Sequence, residues 1–141
     1  MKGTVFSIVA AAGLALVGCN KAESPAEVQH DVTEARADAQ RDVADAQADA
    51  RENNADAQKD VADAQADHDA NDTADQAQQA SETAAKGDYK VAVAQAEATH
   101  KIAMEKCEAL SKDAQADCKD RADRDLDAAK RAAEQRRDGA G

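Results

Sequence analysis

The chain has 141 residues, a net charge of −11 and two aromatic side chains, Phe6 and Tyr89. Most of its 43% apolar residues are alanine, and burying a methyl-sized group contributes only about 0.8 kcal/mol, which excludes a large globular core. Catalytic pockets are walled by large apolar side chains, which are scarce here, and the acidic excess opposes nucleic acid and anionic head groups.

In chain order, Lys2 precedes a mostly apolar run from Val5 to Val17, and small residues then lead to Cys19. Charged start, apolar middle and small-residue end are the parts of a secretory signal. The run is short for a membrane span, which needs about 20 residues. On these features alone, an ordinary signal peptide or an uncleaved anchor also fits. The residues Leu16-Val17-Gly18-Cys19 resemble the lipobox of bacterial lipoproteins. That resemblance implies removal of residues 1–18 and lipid on the sulfur and new amino group of Cys19. Asn20 then agrees with sorting to the outer membrane, facing the periplasm.

Residues 19–24 read as a polar tether. Ser24-Pro25-Ala26-Glu27 combines Ser at the N-cap, Pro at the first helical position and Glu at the third, which is a strong helix start. From Ala26 to Lys86 there is no Gly or Pro, and Ala is the best helix former. Residues 25–86 are therefore expected to form a long acidic, Ala-rich helix. Taken to about Ala80 it would be roughly 80 Å long at about 1.5 Å per residue. Apolar positions recur in steps of three and four, at Val28, Val32, Ala35, Ala39, Val43, Ala46, Ala50, Ala57, Val61 and Ala64. That is helical spacing. Val28, Val32, Val43 and Val61 are the larger members of this stripe, through which a homo-oligomer is expected to form. Residues 37–54 and 55–72 are near copies, ADAQRDVADAQADARENN and ADAQKDVADAQADHDAND. Eighteen residues are five turns, so the stripe stays on one side of a straight helix.

Thr73 and Gln76 offer a capping box after Asn71-Asp72, but Gly87-Asp88 is the stronger break. Charge divides near it: residues 20–87 carry 17 acidic and 6 basic side chains, residues 88–141 carry 12 and 11. In residues 87–137 the apolar rhythm runs through Tyr89, Val93, Ala96, His100, Ala103, Cys107 and Leu110. It resumes at Cys118, Ala122, Leu126, Ala129 and Ala133. Two helices joined by a polar turn at Ser111-Lys112-Asp113 are expected, with 138–141 a frayed tail.

Cys107 and Cys118 test that turn. On one unbroken helix their Cα atoms would stand about 16 Å apart, and a disulfide needs less than about 7 Å. Either the chain turns between them and they pair, or the helix is continuous and the thiols are free or bridge two chains. Pairing within the chain would set Ala103 near Ala122, Ala96 near Ala129 and Tyr89 near Arg136.

The stretches Asp88-Tyr89-Lys90-Val91-Ala92 and Glu105-Lys106-Cys107-Glu108-Ala109-Leu110-Ser111, on to Cys118, resemble the ends of a group of uncharacterised proteobacterial envelope proteins, some labelled TolA-like. A lipidated Cys followed by an Ala-rich helix is also similar to the murein lipoproteins. Both resemblances imply an envelope protein without known catalytic activity.

Metal signals are weak. Asp67, Asp69 and Asn71 match the first positions of a calcium loop, but Asp72 and Gln78 stand where Gly and Glu are needed. No metal site and no cofactor are expected. Lys130, Arg131, Arg136 and Arg137 suit the negative end of a helix dipole, or an anionic surface such as peptidoglycan. Taken together, the expectation is an all-α, partly coiled-coil-like, non-enzymatic protein. It would be anchored in the membrane by its lipid and act as a spacer or tether with an envelope partner. The alternative is a binding module that holds divalent cations or a basic protein on its acidic helix.

Overall fold

A computed structural model describes residues 22–67 and 70–139. The fold is all-α: α1 (Pro25–Ala66), α2 (Ala70–Glu108) and α3 (Lys112–Asp138). The helix start expected at Ser24 forms in full. Ser24 Oγ accepts from the Glu27 N–H at 3.3 Å, and Glu27 Oε2 accepts from the Ser24 N–H at 3.0 Å. Replacing Ser24 with Ala at this exposed cap is expected to cost about 1 kcal/mol. Thermal melts of the two proteins, with helicity as the readout, check the value.

The long helix ends earlier than its composition suggests. α1 stops at Ala66, with Asp67 as its C-cap, and α2 begins at Ala70. The break therefore lies near the weaker of the two sequence signals, and the expected single helix over 25–86 is two antiparallel helices. At about 1.5 Å per residue, α1 is about 63 Å long and α2 about 58 Å. The stronger signal, Gly87-Asp88, marks no break, because α2 runs through it. Gly87 is instead buried where α1 crosses: a Cβ built on it would lie 3.1 Å from the Cβ of Ala50. An absent side chain here permits close approach of two helix backbones.

The register of α1 on α2 is fixed at several points. At one end the Glu23 N–H donates to the Glu108 carbonyl at 3.3 Å. Further along, Lys101 Nζ donates to Asp38 Oδ2 at 3.0 Å, and Ala50 meets Gly87 beyond that. Val28, Val32, Ala35, Ala39, Ala50 and Ala64 are the buried residues of α1. All six belong to the stripe read from the sequence.

The second hairpin turns at residues 109–111. Leu110 N–H donates to the Cys107 carbonyl at 3.0 Å, and Gln115 Nε2 reaches back to the Glu108 carbonyl at 3.0 Å. Ser111 is the N-cap of α3, without a side-chain cap bond, and Lys112 is already helical. The turn thus falls slightly before Ser111-Lys112-Asp113. On α3, Ala122 and Ala133 are buried and Leu126 is half-buried, but Ala129 is exposed. The half-buried Lys130 takes the inner position in its place and pairs with Glu97 of α2.

Among the described residues, α1 and α3 each pack on α2 and not on one another. At about 100° per residue, Gly87, Ala98 and Lys101 share one side of α2, while Tyr89, His100 and Cys107 lie roughly opposite. The three helices therefore form one layer rather than a bundle around a shared core. This follows from the composition. Among the described residues the buried set is six Ala, two Val and one Cys besides Gly87, too little volume to bring a third helix onto the first two.

Candidate functional site

Cys19, the expected lipidation site, lies outside the described residues. The first described segment, 22–24, sits beside the end of α2, through the Glu23–Glu108 bond. The opposite end carries the α1–α2 turn at Asp67–Ala70.

The Glu23–Glu108 end is acidic. The Glu23 carboxyl is held above its ordinary value, first by partial shielding from water and then by Asp31, Glu108, Glu105 and Glu27. The Glu27 carboxyl is held below its ordinary value by the hydrogen bonds it shares with Ser24. His30, Asp31 and Glu34 bring one ligand-type atom each to within 4.8 Å of one another. His30 Nδ1 lies 3.2 Å from Asp31 Oδ1 at the surface.

Cys107 and Cys118 are joined in a disulfide, with Cα atoms 5.7 Å apart. The intramolecular alternative is the one this fold adopts. Cys107 is fully buried, the largest such side chain among the described residues. From the disulfide outward the α2–α3 seam is charged: Lys119 pairs with Glu108, His100 Nε2 lies 2.7 Å from Asp123 Oδ1, and Lys130 Nζ lies 2.7 Å from Glu97 Oε1. The Glu97 contact holds the Lys130 ammonium above its ordinary pKa. The far end closes with the Arg137 guanidinium 4.7 Å from the centre of the Tyr89 ring. The pairing of Tyr89 with the last turn of α3 is as the disulfide register requires, displaced by one residue from Arg136.

Comparison with family models, curated proteins and solved structures found no match to this chain.

The stripe of Val28, Val32, Val43 and Val61 has a partner the sequence did not show. Val28 and Val32 are buried within the chain, and Val43 and Val61 are half-buried. Within the chain their face is taken by α2. What remains open is a shallow groove of about 300 Å³ between α1 and α2, at Ala39, Val43, Ala98 and Ile102. The calcium-like run is split by the turn: Asp67 caps α1, Asn71 belongs to α2, and Asp69 lies outside the described residues.

The α1–α2 seam also predicts acid sensitivity. The Lys101 ammonium, through its hydrogen bond and its charge, holds the Asp38 carboxyl below its ordinary value, and Arg41 adds to this. A carboxyl with a lowered folded-state pKa contributes stability that is present above its ordinary value. That stability is lost as pH falls through the folded-state value. Asp38→Asn is therefore expected to lower stability at neutral pH and to flatten the fall in melting temperature on acidification. Melts from about pH 6 to about pH 3, spanning the ordinary carboxylate range, test this. An unchanged acid slope would refute it.

Proposed function

We propose that the chain is a non-enzymatic, lipid-anchored spacer of the bacterial cell envelope. Lipid on Cys19 would hold it at the outer membrane, facing the periplasm, in the manner its Leu-Val-Gly-Cys motif implies. The observation that carries the reading is the polarity of the layer. Residues 22–24 lie at one end, by Glu108, and the α1–α2 turn lies about 60 Å away. The 17 acidic against 6 basic side chains of residues 20–87 favour standing off an anionic surface over lying on it. Among the described residues no helix is long and apolar enough to cross a membrane, so attachment in this reading rests on the lipid.

The test is energy transfer in vesicles carrying an acceptor dye on their head groups. A donor at residue 111 of the lipidated protein is expected to transfer strongly, and a donor at residue 67 weakly. Equal transfer from both positions would mean that the layer lies flat, and the spacer reading would fail.

The second reading is a module that holds divalent cations or a basic partner on its acidic face. The grouping of His30, Asp31 and Glu34 favours it. Calorimetry with calcium and with zinc separates the two readings: saturable heat, lost in His30→Ala, belongs to the binding module, and its absence to the spacer.

A further inference from the structure

The free end of α3 builds a recess that neither reading uses. It encloses about 310 Å³ between α2 and α3, and Tyr89, Asp88, Gln95, Ala133, Arg136 and Arg137 contribute to its wall. That volume is at the small end of ligand clefts, which run from about 300 to 1,000 Å³. Val91 and Ala92 of α2, both half-buried, supply its apolar side.

The charges in this recess are unevenly satisfied. Arg137 is committed: its Nε donates to Asp138 Oδ1 at 2.8 Å, and its guanidinium covers the Tyr89 ring. Arg136 donates from Nε to the Ala132 carbonyl at 3.2 Å, a neutral acceptor, and has no carboxylate within ion-pair distance among the described residues. The same holds for Asp88, which enters the wall from α2 and has no cationic partner among the described residues. Both side chains are exposed, so a cation and an anion line one recess hydrated by water rather than paired with each other. The negative end of α3 accounts for arginines in its last turn, but it does not account for an unpaired carboxylate across from them.

A ligand that carries both charges on a small apolar body would complete the arrangement. We propose that the recess binds the termini of a short peptide with small apolar side chains. Its carboxylate would lie on the guanidinium fork of Arg136, which has the planar donor geometry that carboxylates take. Its ammonium would lie on Asp88, with its methyl groups against Val91 and Ala92. A dipeptide is at most about 7 Å long, which suits the volume. A phosphate group is disfavoured, because Asp88 repels an anion that brings no ammonium.

The test uses the whole disulfide-bonded protein and nuclear magnetic resonance titration. L-alanyl-L-alanine is expected to shift the Tyr89 and Ala133 signals saturably. N-acetyl-L-alanyl-L-alanine, which lacks the ammonium, and L-alanyl-L-alaninamide, which lacks the carboxylate, are each expected to bind at least about tenfold more weakly. Inorganic phosphate is expected to leave both signals in place. Arg136→Gln and Asp88→Asn should each weaken the dipeptide, while Arg121→Gln on the exposed face should not. Absence of saturable shifts, equal binding of a capped peptide or of phosphate, or unchanged binding by either recess variant would overturn the proposal. The capped peptides are compared on the unmodified protein, so the result stands even if a variant folds poorly.

Discussion

Replacing Cys107 and Cys118 together by Ala is expected to lower stability by about 3 kcal/mol, the value for closing a loop of this size. The melting temperature should fall by on the order of 10 °C. Ala is the appropriate replacement because Cys107 is fully buried, and a Ser hydroxyl there would need a partner. The effect is large because so little else holds α3. Two of its residues, Ala122 and Ala133, are buried. The pairs at Lys119–Glu108, His100–Asp123 and Lys130–Glu97 are partly exposed, and such pairs contribute about 0–1 kcal/mol each. Hydrogen exchange should show the amides of α3 losing protection first, with α1 and α2 retaining theirs, since α3 touches α2 alone. A melting temperature within a degree or two of the parent, with α3 still protected, would mean that the seam is self-sufficient.

Gly87→Leu is expected to destabilise the α1–α2 hairpin by about 1–3 kcal/mol, the usual range for overpacking. Two opposing effects decide the smaller change, Gly87→Ala. Ala in a helix interior is worth about 1 kcal/mol over Gly, yet its Cβ would lie 3.1 Å from that of Ala50, tighter than ordinary contact. The two effects nearly offset, so Gly87→Ala should sit close to the parent while Gly87→Leu falls well below it. Combining Gly87→Ala with Ala50→Gly restores the gap and should recover the packing, at the helix cost of the new glycine. Urea denaturation of the four proteins checks the order. If Leu and Ala behave alike at position 87, the close approach of the two backbones does not exist.

The all-α class, the capping box at Ser24 and the apolar stripe of α1 were legible, because each depends on local spacing; that the stripe faces α2 was not. The register of the second hairpin was legible only on the condition that Cys107 and Cys118 pair within the chain, which the fold supplies. The fold-back at Asp67 was not. The first copy of the repeat carries Asp49-Ala50-Arg51 inside a helix, and the second carries Asp67 at a helix end, without a Gly or Pro to distinguish them. What separates the two places is partly local, since Ala50-Arg51 gives way to the weaker helix formers His68-Asp69, and partly tertiary, since Ala50 meets Gly87. For the same reason Gly87 reads as a break in the sequence and is a contact in the fold. The Asp38–Lys101 pair, 63 residues apart in sequence, has no local signal. The Asp88 and Arg136 recess could have been suspected from the disulfide register, which already set Tyr89 beside the last turn of α3.

The central claim is that a lipid on Cys19 carries a disulfide-closed, single-chain helical layer. The intact mass of the native protein extracted from membranes, measured with and without reductant, tests it most directly. The account predicts a monomer that lacks residues 1–18, carries acyl chains on its first residue and gains two hydrogens on reduction. A mass with residues 1–18 retained, or without lipid, would contradict the anchor, and a dimer that reductant splits would contradict the closure within one chain.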